Sequence, residues 1–239
     1  MGVSAGPDDI LIVDDQYAPL AEKIVAALKD INPGELQFIL NTHYHSDHTG
    51  GNEILGKSAP IIAHANNRKR LVEEPDFPEG GLQDITFDDK ISIHFNEEEI
   101  KAVHFPHGHT DGDLVIFFTG SNVVHMGDDF AAGGFPYVDL EAGGSVEGLK
   151  NNIANVIEQL PPDVKIIPGH GPVSSLEDLK TYHRMLVETI DVVTNRIRAG
   201  IMDLEQIKAA GLPDRYNDWG SGFITTERWI ETIYNSYSR

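Results

Sequence analysis

A chain of 239 residues, 40% of them hydrophobic, is long enough for one large α/β layer structure with a sizeable core. Its 38 acidic residues against 18 Lys and Arg give a net charge of −20, which repels a phosphate backbone and sets nucleic acid aside as a partner. The absence of cysteine excludes thiol nucleophiles, disulfides and thiolate metal ligands, and no apolar run reaches the length of a membrane span.

In chain order, Gly2 to Gly6 and Ile10 to Asp14 predict a hairpin around Gly6-Pro7-Asp8-Asp9. Pro19 to Asp30 carries Leu20, Ile24, Ala27 and Leu28 at helical spacing, and Asn32-Pro33-Gly34 stops that helix. Leu36 to Leu40 is a buried strand, followed by a loop and Gly50-Gly51. Pro60 to His64 is a short strand, and a basic helical piece with Arg68, Lys69 and Arg70 follows. Glu73 to Gly81, rich in Pro, Gly and acids, is a loop suited to border a substrate cleft. Ile85 to Phe87, Ile91 to Phe95 and Ile100 to His104 predict successive strands, and Asp113 to Phe118 with Asn122 to Met126 predicts another hairpin. Val146 to Leu160 is an amphipathic helix, Val164 to Ile167 a buried strand, and Ser174-Ser175 the cap of a long helix striped from Leu176 to Ile197. The tail is helical again, with Trp219 and Trp229 as anchors. The expected organisation is one domain over residues 1–200 with a helical C-terminal extension over 201–239 packed on it. Strands interleaved with helices without strict βαβ alternation point to mixed sheets covered by helices, an α/β (α+β) four-layer arrangement.

The chemistry concentrates in His43-Tyr44-His45-Ser46-Asp47-His48, on the loop after a buried strand. Three imidazoles and a carboxylate in six positions are donors suited to zinc or a similar first-row metal. His43 and His45 point the same way on extended chain, while Asp47 and His48 lie beyond, where the chain turns, so one loop serves two ions. Closed sites need more ligands, and further strand ends offer His107-Gly108-His109-Thr110, Gly127-Asp128-Asp129 and Pro168-Gly169-His170-Gly171. Gly51 to Ser58 matches the phosphate-loop pattern by letters alone. The strand ends some ten residues too early and Ala59-Pro60 blocks the helix, so ATP binding is not expected.

Through HYHSDH, GHT at 108 to 110, GD at 127 to 128 and PGHG at 168 to 171, the chain resembles the metallo-β-lactamase superfamily of hydrolases over nearly its whole length. The resemblance implies the αββα sandwich and two zinc ions per chain, with iron or manganese as alternatives. It places His43, His45 and His109 on the first metal, Asp47, His48 and His170 on the second, and Asp128 as the bridge seen in glyoxalase II-like members. His107 is a rival to His109, which is preferred because the family's ligand directly precedes Thr. His125, three residues before Asp128, is the best placed of the remaining histidines to support a ligand from behind. A bridging carboxylate has a clear use, because two divalent ions about 4 Å apart repel by roughly 17 kcal/mol at an effective dielectric of 20.

The implied activity is hydrolysis of a carbonyl ester, thioester, lactone or amide of a small-molecule substrate by a metal-bridging hydroxide. Asp47 would orient that hydroxide and relay its proton, and Tyr44, Phe135 and Tyr137 are candidate pocket walls. Asp128 stands where the main β-lactamase subclasses carry Cys or Ser, which leans toward thioester or lactone. Ala131 stands where superfamily lactonases usually carry Tyr. A metallo-β-lactamase acting on β-lactam antibiotics and a mononuclear iron, sulfur dioxygenase-like oxidoreductase are the competing readings. Met1-Gly2-Val3-Ser4 lacks the basic and apolar regions of a signal peptide, yet strand-like residues start almost at once. An exported periplasmic form trimmed of its leader and a cytoplasmic protein both fit, and no oligomeric state is expected over another.

Overall fold

The computed structural model describes residues 1–200 and 203–238; the start of the expected extension, residues 201 and 202, and residue 239 lie outside them. The chain gathers into two compact units. The first holds Met1–Phe105 and Gly112–Gly127, and the second holds Pro106–Asp111 and the chain from Asp128 onward.

The first unit opens with the expected hairpin, β1 (Gly2–Gly6) antiparallel to β2 (Asp9–Val13). A turn of 3-10 helix leads into α1 (Ala21–Ile31), and β3 (Leu36–Leu40) then lies parallel to β2. Two short helices, α2 (Ser46–Thr49) and α3 (Asn52–Leu55), precede β4 (Ile61–His64). Then come α4 (Ala65–Glu73) and β5 (Ile85–Phe87), with β3, β4 and β5 mutually parallel in sequence order. Parallel strands need crossovers, and these helices supply them. The phosphate-loop letters fall on α3, with no strand directly before them. Of the three successive strands expected after residue 84, the first closes this sheet. The other two, β6 (Lys90–Phe95) and β7 (Glu98–His104), start a second, antiparallel sheet with β8 (Leu114–Phe118) and β9 (Val123–His125).

Period-two alternation decides how this unit packs. Leu11, Val13, Leu40 and Ile62 of the first sheet share one core with Phe95, Ile100, Leu114, Ile116 and Phe118 of the second. Ile10, Ile12, Ile39 and Ile61 face the other way, onto Ala21, Ile24 and Leu28 of α1. Each fully buried Ile or Leu contributes roughly 1.5–3 kcal/mol, so both faces of the central strands are strongly held.

The second unit is mainly helical. α5 (Val146–Gln159) buries Val146, Leu149, Ile153 and Val156. The short antiparallel pair β10 (Lys165–Ile167) and β11 (Ser174–Ser175) leads into α6 (Leu176–Arg198). Ser175 caps α6 through a reciprocal box with Asp178, satisfying two otherwise orphaned backbone N–H groups. After residue 203 come α7 (Leu204–Ala210), a 3-10 segment Asp214–Ser221 and α8 (Thr226–Tyr237). Trp229 on α8 is fully buried and donates Nε1–H to Thr189 Oγ1 of α6 at 3.0 Å. Among the described residues no helix is long and apolar enough to cross a membrane.

Candidate metal centre

In the first unit the donors hang from the end of β3. Ile39 and Leu40 are buried, and the chain continues through buried Asn41, Thr42 and His43 before α2 starts at Ser46. His43 Nε2 and His45 Nδ1 stand 3.2 Å apart, and His48 Nε2 lies 3.4 Å from Asp47 Oδ2. Two ligands held tetrahedrally at about 2.0–2.1 Å from zinc sit about 3.3 Å from one another, so both separations suit the metal.

Proton positions suit it as well. Asp14, at the end of β2, accepts the Thr42 backbone N–H on Oδ1 at 2.8 Å and the Thr42 hydroxyl on Oδ2 at 2.9 Å. With its hydrogen committed, Thr42 Oγ1 can only accept from His43 Nδ1, 3.1 Å away. His48 Nδ1 lies 2.7 Å from Asp14 Oδ2 and donates to it. Both rings therefore carry their proton on Nδ1 and present a bare Nε2, the state in which imidazole binds a metal. Burial pushes the Asp14 carboxyl up, but the hydrogen-bonded His48 ring, the nearby His125 and the Thr42 N–H together hold it below the usual carboxylate range.

Beneath the loop lies a buried amide cluster. Asn41 and Asn52 exchange side-chain hydrogen bonds at 3.1 and 3.0 Å, and Asn52 also donates to the Gly81 carbonyl at 2.9 Å. Asp15 accepts the Gly51 N–H at 3.0 Å, and burial pushes its carboxyl up to about 8. Gly127 closes the β9 end at φ +50°, where a Cβ would sit 2.8 Å from the Thr42 side chain, so that position requires glycine. His125 is buried, and its Nδ1 accepts the Gly127 N–H at 3.1 Å, so the support expected of it is exerted on this turn. Tyr44 packs 4.5 Å from the His45 ring, beneath the Arg70 guanidinium. A cleft of about 380 Å³ opens beside Tyr44, His45 and Ser46, bordered by Glu74, Pro75 and Phe77 of the loop expected to flank one.

In the second unit Asp128 Oδ2 lies 3.3 Å from His170 Nε2 and 3.7 Å from His109 Nε2, so one carboxylate oxygen faces both imidazoles. His109 is fully buried and donates Nδ1–H to the Tyr137 carbonyl at 2.8 Å, which leaves its Nε2 bare as well. Its backbone N–H goes to Asp129 Oδ1 at 3.0 Å. His170 is held by a bridge to Ala131 and by the Ala132 N–H on its carbonyl at 2.9 Å. The rival His107 is exposed at φ +56°, with Nδ1 on the Gly143 carbonyl at 3.0 Å, so the imidazole beside Asp128 is that of His109. Tyr137 is half-buried, with its ring centroid 5.7 Å from that of His109. Phe135 is 4% exposed and stacks on Trp229, so packing takes most of the surface expected to wall a pocket.

Asp14 and Thr42 are not among the candidates that the sequence offers, and Asp129 enters there only as the neighbour of Asp128. Only an acid ending an apolar strand and a second acid after Asp128 hinted at them. Replacing Asp14 with Asn removes the charge, and an amide NH2 in the place of Oδ2 faces both the Thr42 hydroxyl and His48 Nδ1, which disturbs the tautomers of His43 and His48. Zinc affinity is expected to fall about 10- to 100-fold, measured by competition with a chromogenic chelator, and unchanged affinity would remove Asp14 from the site.

The family model described as the metallo-beta-lactamase superfamily matches residues 7–170. A hydroxyacylglutathione hydrolase from Rhodospirillum rubrum is 28% identical over 197 residues, covering 81% of this chain and 68% of that protein. A second from Pelagibacter ubique is 31% identical, covering 63% of this chain and only 57% of its own length. The probable metallo-hydrolase YqgX of Bacillus subtilis is 30% identical, covering 68% of this chain and 83% of its own. Among solved structures, the DIM-1 metallo-beta-lactamase superposes with a TM-score of 0.67 at 21% identity, covering 78% of this chain and 85% of that one. A metallo-beta-lactamase from Pontibacter korlensis gives 0.66 at 17% identity, covering 77% and 85%. Likeness at such identity establishes the shared αββα fold and nothing about substrate.

Proposed function

From the premise that this chain belongs to the metallo-β-lactamase superfamily and is, like its curated relatives, a metal-dependent hydrolase, we propose that it cleaves a small-molecule thioester at a pair of zinc ions. In this reading His43, His45 and His109 would hold one ion, Asp47, His48 and His170 would hold the other, and Asp128 would serve both. Residues 1–200 form the hydrolase domain and 201–239 its extension. The observation that carries the proposal is the proton pattern: hydrogen bonds fix Nδ1 of His43, His48 and His109 as donors, which makes Nε2 the lone-pair nitrogen of each neutral ring. Nitrogen and oxygen donors without thiolate suit zinc in a hydrolytic site.

When bound, such a pair supplies Lewis acidity and lowers the pKa of water from 15.7 toward about 7. The chain's own residues do the rest. Asp47, 23% exposed, orients the attacking water and accepts its proton. As the water oxygen bonds to the carbonyl carbon, the carbon–sulfur bond breaks, and the proton held by Asp47 passes to the departing sulfur. Asp14, through His48 and Thr42, keeps the ligands from rotating. The cleft beside Tyr44 and His45 has room for an acyl or thiol portion.

Thioester is preferred because Asp128 occupies a position where β-lactamases carry Cys or Ser, and because relatives over 81% and 63% of the chain bear the name hydroxyacylglutathione hydrolase. The test is metal analysis with an activity panel of S-lactoylglutathione, nitrocefin, an acyl-homoserine lactone and a phosphodiester. About two zinc ions per chain are expected, with thioester turnover lost on chelation and restored by zinc. Turnover of the phosphodiester alone would defeat the carbonyl reading, and a visible iron absorption would defeat the zinc one.

A further inference from the structure

Helix α5 receives, by three consecutive carbonyls, the segment that leads into His109. The Gly108 carbonyl accepts the Ser145 backbone N–H at 3.0 Å, and the Pro106 carbonyl accepts the Asn152 side-chain amide at 3.1 Å. Between them the His107 carbonyl points at Gly148, so closely that a Cβ there would lie 1.9 Å from its oxygen. Residues 145, 148 and 152 are spaced three and four apart and therefore share one face of the helix. That face is a cradle for the backbone of residues 106–108.

Glycine weakens a helix relative to alanine, because it loses more backbone freedom on folding. Gly148 nevertheless occupies the first turn of α5, where its N–H goes to the Ser145 hydroxyl at 3.2 Å. A Cβ essentially never comes within 3.0 Å of such an oxygen, so any side chain at 148 would push the His107 carbonyl back by roughly 1 Å. That carbonyl is not free to yield. His107 is held in the left-handed region at φ +56°, uncommon for a residue with a Cβ, and its Nδ1 donates to the Gly143 carbonyl at 3.0 Å. The turn is pinned by its ring and by its carbonyl, and two residues later the chain reaches the fully buried His109. There the imidazole faces Asp128, with Nε2 3.7 Å from Oδ2.

We propose that Gly148 and Asn152 are positioning residues for His109: by seating the carbonyls of His107 and Pro106 they hold the left-handed turn that sets where the His109 imidazole stands. His107, the rival histidine, acts here as the post of that turn. The inference rests on the reading of His109 as a metal ligand. A displacement of about 1 Å at a reacting centre costs up to about 100-fold in rate. Loss of a group that orients a ligand costs about 10- to 100-fold in metal affinity.

Gly148→Ala and Asn152→Leu are each expected to lower zinc affinity about tenfold or more in chelator competition, and to change the visible d–d spectrum of the cobalt-loaded chain. Asn155→Ala, at an exposed position of the same helix, changes neither. Lost helix packing alone would lower the thermal midpoint of the metal-free chain and leave the cobalt spectrum of the folded fraction as in wild type. Wild-type affinity and spectrum in both cradle variants, or the same loss in Asn155→Ala, overturns the assignment. If neither cradle variant folds, hydrogen exchange of the wild type decides. Zinc is expected to slow exchange of the Ser145 N–H more than that of the Leu160 N–H at the far end of α5, and equal slowing overturns the proposal. His109→Gln tests the ligand reading separately. Unchanged zinc content and cobalt spectrum in that variant would reject His109 as a ligand and leave the cradle to be judged in the metal-free chain. There Gly148→Ala is expected to shift the resonance of the His109 Nδ1–H bonded to the Tyr137 carbonyl, and an unshifted resonance overturns the positioning role.

Discussion

Asp128→Asn is expected to lower kcat/KM about 1000-fold while leaving the metal-free chain as stable as wild type. The replacement keeps the shape of the side chain and removes the negative charge that faces His109 at 3.7 Å and His170 at 3.3 Å. An amide oxygen is a weak ligand, and two divalent ions close together need that charge to offset their repulsion. Losing several kcal/mol of Lewis-acid stabilisation corresponds to three or more factors of ten in rate. The measurement pairs thioester kinetics with zinc content by mass spectrometry. Zinc below two per chain together with the loss of rate is the expected result, while full zinc content at wild-type rate would show that Asp128 is no ligand.

Trp229→Ala should produce the largest stability effect. The indole is fully buried, stacks on Phe135 with centroids 5.9 Å apart, and donates Nε1–H to Thr189 Oγ1 at 3.0 Å. Removing a buried tryptophan costs about 3–5 kcal/mol through lost burial and the cavity left behind. Thr189 keeps its bond to the Met185 carbonyl at 2.8 Å, so it is not left unsatisfied. Phe135 stands two residues before Tyr137, whose carbonyl fixes the His109 tautomer, so looser packing here should also reduce zinc affinity. Urea unfolding of the metal-free variant measures the first effect and chelator competition the second. A loss under 1 kcal/mol would mean that α8 contributes little to this unit.

Local order was largely written in the order of residues. The hairpin at the start, β3, the helix from Val146 and the cap at Ser175 are set by periodicity and capping chemistry within about twenty residues, and they fall where expected. The donor motifs are contiguous too, and enough to place the chain in its superfamily. Short-range patterning says which face of an element is buried, not which distant element covers it. That is why β5 could be foreseen as a strand while its parallel place beside β4 could not.

The supports of the site are of the second kind. Thr42 and His48 reach Asp14 across 28 and 34 residues of chain, and no spacing rule connects an acid at the end of one strand with an imidazole beyond the next. Phe135 and Tyr137, two residues apart and equally aromatic, differ only in their three-dimensional neighbours: one is sealed against Trp229, the other turns its carbonyl to His109 and its ring to Arg228. Which nitrogen each imidazole offers, and which aromatic ring is sealed by packing, are properties of neighbours in space, and only the folded chain supplies them.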